Sequence, residues 1–191
     1  MKGCRPLTDP EIASILAHMA SARYSTRDRC LVLLGLRTGF RISELLSLRR
    51  SHVWQNDRLV SRVYLERRHM KGKKASRELI LHPEAQGAIL ELLKGLAPDP
   101  DTYLFQSRNG KNQALNRRTA WVILRKAAKA CGLEGKVATH SMRKTFAKRV
   151  YEKSGGNMRK TQEALGHANI NSTAAYIGVD QSEVDDLILK S

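Results

Sequence analysis

The segment LGHANINSTAAYIGV, residues 165 to 179, ends a run of mostly small residues on a lone tyrosine, Tyr176, nine positions after His167. A phenol ionises near pH 10, so it attacks at neutral pH only with a base or a positive charge beside it. If its target is a phosphodiester, negative charge gathers on the nonbridging oxygens in the transition state. Fixed donors, ideally arginine forks, must then meet that charge. The chain carries several. In THSMRKTFA, His140 and Arg143 are three residues apart and share a helix face. In TGFRISELLSL, Arg41 follows the Gly39 turn and opens a helix, whose N-terminus already favours anions. Glu44, three residues on, can hold Arg41 or a histidine in orientation. Lys71 and Lys73 lie in the basic turn RRHMKGKKA. A turn tip of this kind can reach into a DNA groove and pass a proton to a leaving oxygen. His167, directly after Gly166, is a further donor. Taken singly, each has a plainer reading: a solvated basic face, a surface ion pair worth little, a histidine that merely ends a helix.

These side chains need elements to position them. Thr8-Asp9-Pro10-Glu11 is a capping-box pattern that opens a helix to about Ala22. RDRCLVLLGLRTG (27 to 39) is apolar on most faces, which predicts a buried helix stopped at Gly39. RISELLSLRR (41 to 50) predicts a short amphipathic helix. RLVSRVYLE and SRELILH predict two strands joined by the basic turn around Gly72. Pro83 starts another helix, YLF (103 to 105) suits a short strand, and residues 117 to 132 predict a strong helix ending at a glycine. Thr139 is placed to cap HSMRKTFAKRVYEKS, and NMRKTQEALG predicts a helix ended by Gly166. Ser172 is placed to cap a short helix carrying Tyr176, and Ser182 a last one, EVDDLILKS. The expectation is a mostly α domain with a small antiparallel β-sheet, an α+β fold in one piece over residues 1 to 191.

The totals narrow the setting. The 34 Lys plus Arg against 18 Asp plus Glu give a formal charge of +16, which draws a chain toward polyanions through counterion release. Charge alone does not separate DNA from RNA. Aromatics are 5% of the chain and no stacking motif for single-stranded RNA is present. No apolar run approaches membrane-spanning length, and the first residues lack a signal-peptide core. The three cysteines, Cys4, Cys30 and Cys131, are widely spaced and odd in number. They form neither a zinc-type pair nor a disulfide framework, which points to a reducing cytoplasm.

The order Arg41, Glu44, turn lysine, His140-x-x-Arg143, Gly166-His167, Tyr176 resembles the catalytic domain of the tyrosine recombinases, the phage integrase family. The boxes TGFRISELLSL, THSMRKTFA and LGHANINSTAAYI carry the resemblance, which extends from LTDPEI near the start to Tyr176. Met142 and Lys144 depart from residues common in the family, without removing a reactive group. Lys71, directly before Gly72, looks like the family's lysine, with Lys73 in reserve.

The resemblance implies the family's fold and its reaction: cutting and rejoining DNA strands through a 3′-phosphotyrosyl bond on Tyr176. Arg41 and Arg143 would clamp the nonbridging oxygens, with His167 adding a hydrogen bond. Lys71 would be the general acid, His140 would assist proton transfer or hold the phosphate, and Glu44 would orient its neighbours. No cofactor or metal is expected. The partner would be double-stranded DNA carrying recombination sites. A homotetramer is expected on paired sites and a monomer or weak oligomer in solution, with accessory DNA-bending proteins as further partners. The site of action would be the cytoplasm, at the nucleoid. The tail from 180 to 191, with Val184, Leu187 and Ile188 on one stripe, would exchange between protomers. A helical domain that many members carry ahead of the catalytic one is expected to be missing, since the pattern begins within ten residues of Met1. Two other readings share the fold or the chemistry: a catalytically inactive DNA-binding protein, and relaxation of DNA in the manner of a type IB topoisomerase.

Overall fold

The computed structural model describes residues 3–65, 76–177 and 188–189. The chain divides into two compact units, one ending at Phe146 and one beginning at Ala147. The first holds helices α1 (Asp9–Ala20), α2 (Ser25–Thr38) and α3 (Ile42–Leu46), then strands β1 (Trp54–Gln55), β2 (Arg58–Leu59), β3 (Arg62–Leu65) and β4 (Arg77–Ile80), then helices α4 (Pro83–Lys94) and α5 (Arg117–Ala130). It also holds the first half of α6 (Thr139–Lys153). The second unit holds the rest of α6, then α7 (Met158–Leu165) and α8 (Ile170–Ile177).

The capping box forms as expected. The Glu11 carboxylate accepts from the Thr8 amide at 2.8 Å, and the Thr8 hydroxyl accepts from the Glu11 amide at 3.4 Å. The helix it opens stops two residues earlier than expected, at Ala20. The apolar run of 27 to 38 becomes the central helix of the first unit. In α2, Cys30, Leu31, Val32, Leu34 and Leu36 are all buried, and α1, α3 and α4 pack around it. Gly39 ends it with φ at +58°, in the left-handed region that glycine reaches without a Cβ clash.

Several boundaries differ from the sequence expectation, each for a local reason. The helix expected over 41 to 50 stops at Leu46, where the Ser47 hydroxyl donates to the Glu44 carbonyl at 2.8 Å. Beyond it the chain is extended, and the Leu48 carbonyl accepts from the Leu104 amide at 2.9 Å. Residues 103 to 105 therefore form a single bridge, Arg49 to Tyr103, rather than a strand, and Leu104 and Phe105 are core. The strand expected from Arg58 is shared between two antiparallel ladders, β1–β2 and β3–β4. Asn56 and Asp57, at φ of +50° and +54°, make the two-residue turn that joins β1 to β2. Neither Thr139 nor Ser172 is a cap. Helix α6 begins at Thr139 itself, with the Ser141 hydroxyl accepting from the Ala138 amide at 3.1 Å. Helix α8 begins two residues before Ser172, because the Asn169 side chain accepts from the Asn171 amide at 2.8 Å.

The turn carrying Lys71 and Lys73 lies outside the described residues, as does all of the 180–191 tail except Ile188 and Leu189. Among the described residues, no helix is long and apolar enough to cross a membrane.

Candidate active site

In the first unit the turn from Thr38 to Arg41 gathers four of the expected residues. Arg41 is the residue before α3, and its backbone is extended. Its amide donates to Glu44 Oε2 at 2.7 Å and its Nη1 donates to Glu44 Oε1 at 2.8 Å. Glu44 is buried, with 2% of its side chain exposed, while the Arg41 side chain keeps 35%. One carboxylate thus fixes both ends of Arg41 and leaves its guanidinium facing solvent in part. Of the two tasks open to Glu44 in the sequence, the structure shows it on the arginine.

Arg143 approaches the same turn from α6. It is 1% exposed, and its Nη1 donates to the Gly39 carbonyl. The left-handed conformation at Gly39 is what aims that carbonyl. A Cβ on residue 39 would overlap the Phe146 ring. His140, one helical turn before Arg143, is exposed. Even so, the surrounding protein, followed by the charges of Arg143, Arg41 and Lys144, pushes its pKa below the ordinary histidine range. A neutral imidazole at pH 7 can accept a proton.

Sequence reading missed one member of this group. Arg77, on β4, is 6% exposed and lies among these charges. Its Nη2 donates to the Thr38 carbonyl at 2.9 Å, and its guanidinium carbon stands 5.0 Å from the centroid of the Phe40 ring. Burial pushes its pKa down to about 9, helped by Arg143 and Arg41 and opposed by Glu44. It therefore stays cationic at neutral pH. The available signal was strand alternation: in SRELILH, Arg77 shares a face with Leu79 and Leu81.

The second unit holds His167 and Tyr176. Asn157 caps α7 by accepting from the Lys160 amide at 2.9 Å, and Gly166 ends it in the left-handed region at φ +60°. The turn this makes is closed by the buried Gln162, whose side chain donates to the His167 carbonyl at 3.0 Å. His167 is 9% exposed. Its Nδ1 lies 3.0 Å from the hydroxyl of fully buried Thr173, the other residue that sequence reading missed. The ring of half-buried Tyr176 stands with its centroid 5.2 Å from that of His167, tilted by 57°. Thr173 lies three residues before Tyr176 on α8, so one short helix presents both the histidine's partner and the phenol. Of the other tyrosines, Tyr24 and Tyr64 are exposed, and the Tyr103 hydroxyl accepts from Arg49 at 2.9 Å.

Residues 5–183 match the model of the phage integrase family. The tyrosine recombinase XerD of Chlorobaculum tepidum is 32% identical over 194 residues, covering 95% of this chain and 59% of that protein. The chain spans about three-fifths of the length of that protein and of the tyrosine recombinase XerA of Pyrococcus horikoshii. The crystal structure of a XerA recombinase superposes with a TM-score of 0.74 at 24% identity, over 100% of this chain and 66% of that one. The Tn1549 transposon integrase, solved in complex with circular intermediate DNA, superposes with a TM-score of 0.71 at 22% identity, over 98% of this chain and 68% of that one.

Proposed function

The chain belongs to the phage integrase family, and we propose that it works as a tyrosine-type site-specific DNA recombinase. The observation that carries this reading is the turn from Thr38 to Arg41. It brings together two arginines, its own Arg41, fixed by a buried carboxylate, and Arg143 from α6, held by the Gly39 carbonyl. Guanidiniums anchored this way meet a phosphate without having to reorganise, which is where most of the rate gain in phosphoryl transfer arises.

In this reading the Tyr176 oxygen attacks the scissile phosphorus of a DNA strand. A Tyr176–phosphorus bond forms, the bond to the 5′ oxygen breaks, and the strand is held as a 3′-phosphotyrosyl ester. Arg41 and Arg143 take the charge on the nonbridging oxygens. His167, its Nδ1 engaged by Thr173, donates from Nε2. His140, neutral at pH 7, takes the phenolic proton. Lys71, or Lys73 in its place, gives the leaving 5′ oxygen a proton. A 5′-hydroxyl from the partner strand then reverses these steps. The bond energy stays in the ester, so the exchange runs without ATP or a metal ion. The DNA would be a pair of duplex sites held by a homotetramer, with accessory bending proteins and the exchanged 180–191 tails, at the nucleoid of the cytoplasm.

The test is covalent trapping. The protein is incubated with nicked duplexes taken from the DNA flanking its gene, with Tyr176→Phe run in parallel. A denaturation-resistant adduct in the parent alone supports the reading. Tight binding with no adduct in either identifies a DNA-binding protein that does not cut.

A further inference from the structure

Arg77 stands at a position that strand alternation reserves for an apolar residue. It pairs with Leu65 across the β3–β4 ladder, and Val63 pairs with Leu79. Val63 and Leu65 are fully buried. Even a whole buried ion pair can often be replaced by well-packed apolar residues without loss of stability, so burying a charge is weak evidence of a stabilising role. Stability therefore gives a weak account of this arginine, and its contacts give a better one. Its Nη2 holds the Thr38 carbonyl at 2.9 Å and its guanidinium lies over Phe40. Arg143 holds the Gly39 carbonyl between them. Three consecutive residues are thus gripped by two guanidiniums, and the next residue is Arg41.

The charges agree with the contacts. Arg143 and Arg41 press on the charge of Arg77, and the Glu44 carboxylate supports it while pairing with Arg41. Such a cluster is unfavourable by itself and is relieved by an anion, so it forms a well of positive potential before any phosphate arrives.

We propose that Arg77 is a positioning residue for phosphate cleavage: by pinning the Thr38–Arg41 turn to β4, it fixes the orientation of Arg41 and Arg143. The proposal rests on the recombinase reading, in which those two arginines grip the scissile phosphate. Arg77 acts through them and through the turn, and touches neither DNA nor the reacting atoms.

The experiment compares Arg77→Met and Arg77→Lys with the parent on the nicked flanking duplex. Duplex affinity, melting temperature and the adduct-forming rate at saturating protein are measured. A displaced catalytic group lowers the chemical step by roughly 10- to 100-fold. Arg77→Met, which removes this donor from the Thr38 carbonyl, is expected to show that loss of rate beyond any fall in melting temperature, with binding within about threefold. Arg77→Lys keeps the charge but cannot both lie flat on Phe40 and donate to Thr38, so it should recover only part of the rate. A methionine variant that cleaves at the parent rate overturns the proposal. So does a loss that merely follows melting temperature and affinity. If Arg77→Met does not fold, Arg77→Lys decides, and a parent-like rate there is equally fatal.

Amide hydrogen exchange over residues 39 to 45 separates this proposal from the function it rests on. If the parent forms no adduct, the nucleophile assignment fails, and exchange alone judges Arg77. Faster exchange in Arg77→Lys at an unchanged melting temperature upholds the pinning, and unchanged exchange overturns it.

Discussion

Replacing Gly39 with alanine should cost more than a methyl group normally does, because the turn built on it holds two arginines. The magnitude follows from two features. Residue 39 sits at φ +58°, which costs a residue with a Cβ about 1 kcal/mol relative to glycine. The added Cβ also overlaps the Phe146 ring, and forcing an extra carbon into a packed site costs about 1–3 kcal/mol. The sum is about 2–4 kcal/mol, or roughly 5–15 °C in melting temperature for a chain of this size. Gly87→Ala is the matched control. Gly87 is exposed within α4, and a Cβ there meets nothing within 4 Å. It should therefore gain about 0.5–1 kcal/mol from helix propensity. Thermal melts followed by circular dichroism read both variants. The adduct-forming rate at 20 °C below each melting temperature, about where both remain folded, should fall only for Gly39→Ala. If Gly39→Ala melts and cleaves like the parent, the turn does not anchor the two arginines.

Three more outcomes follow. Glu44→Gln keeps the shape but removes the charge that both Arg41 donors share. It should lose about 1.5–3 kcal/mol in denaturant unfolding and a still larger share of cleavage. Thr173→Val removes the hydroxyl beside His167 Nδ1 at nearly constant shape. Nitrogen-15 shifts of that ring should report a changed tautomer balance, cleavage should slow, and Thr173→Ser should restore both. Glu11 is held down to a pKa of about 2, first by its hydrogen bond to Arg5. With the folded value below the unfolded one, this stabilisation is complete above about pH 4.5 and disappears as the pH falls toward 2. The pair is partly exposed, so after screening it is worth about 1 kcal/mol. Acid melts of the parent and Glu11→Gln should differ at pH 6 and converge near pH 2, at about the two ends of that window.

The residues that carry local signals were legible in the sequence. Gly39 and Gly166 end helices where an apolar period stops, and each is followed within two residues by a candidate donor, Arg41 or His167. Thr8 and Glu11 announce their helix by spacing alone. Arg77 was not legible in the same way, since a basic residue in a strand ordinarily faces water. Only its phase relative to Leu79 and Leu81 set it apart, and only the fold shows the Thr38 carbonyl that it meets. The hairpin at Asn56-Asp57 was missed because its strands are two residues long, too short for a period to register. Helix α3 was read too long because Leu48, a helical-phase leucine, is instead buried by an extended chain bridging to Leu104. Asn169 caps α8 in place of Ser172, a competition between two good caps three residues apart that spacing cannot decide.

The most direct measurement is the site of attachment. Nuclease-trimmed adduct from the nicked-duplex reaction is digested with trypsin and mapped by tandem mass spectrometry. Cleavage after Lys160 and Lys190 yields a peptide whose sole tyrosine is Tyr176. A phosphodiester-linked nucleotide is expected on that residue and on no other. The same mass on Tyr24, Tyr64, Tyr103 or Tyr151, or an adduct of unchanged yield from Tyr176→Phe, would contradict it.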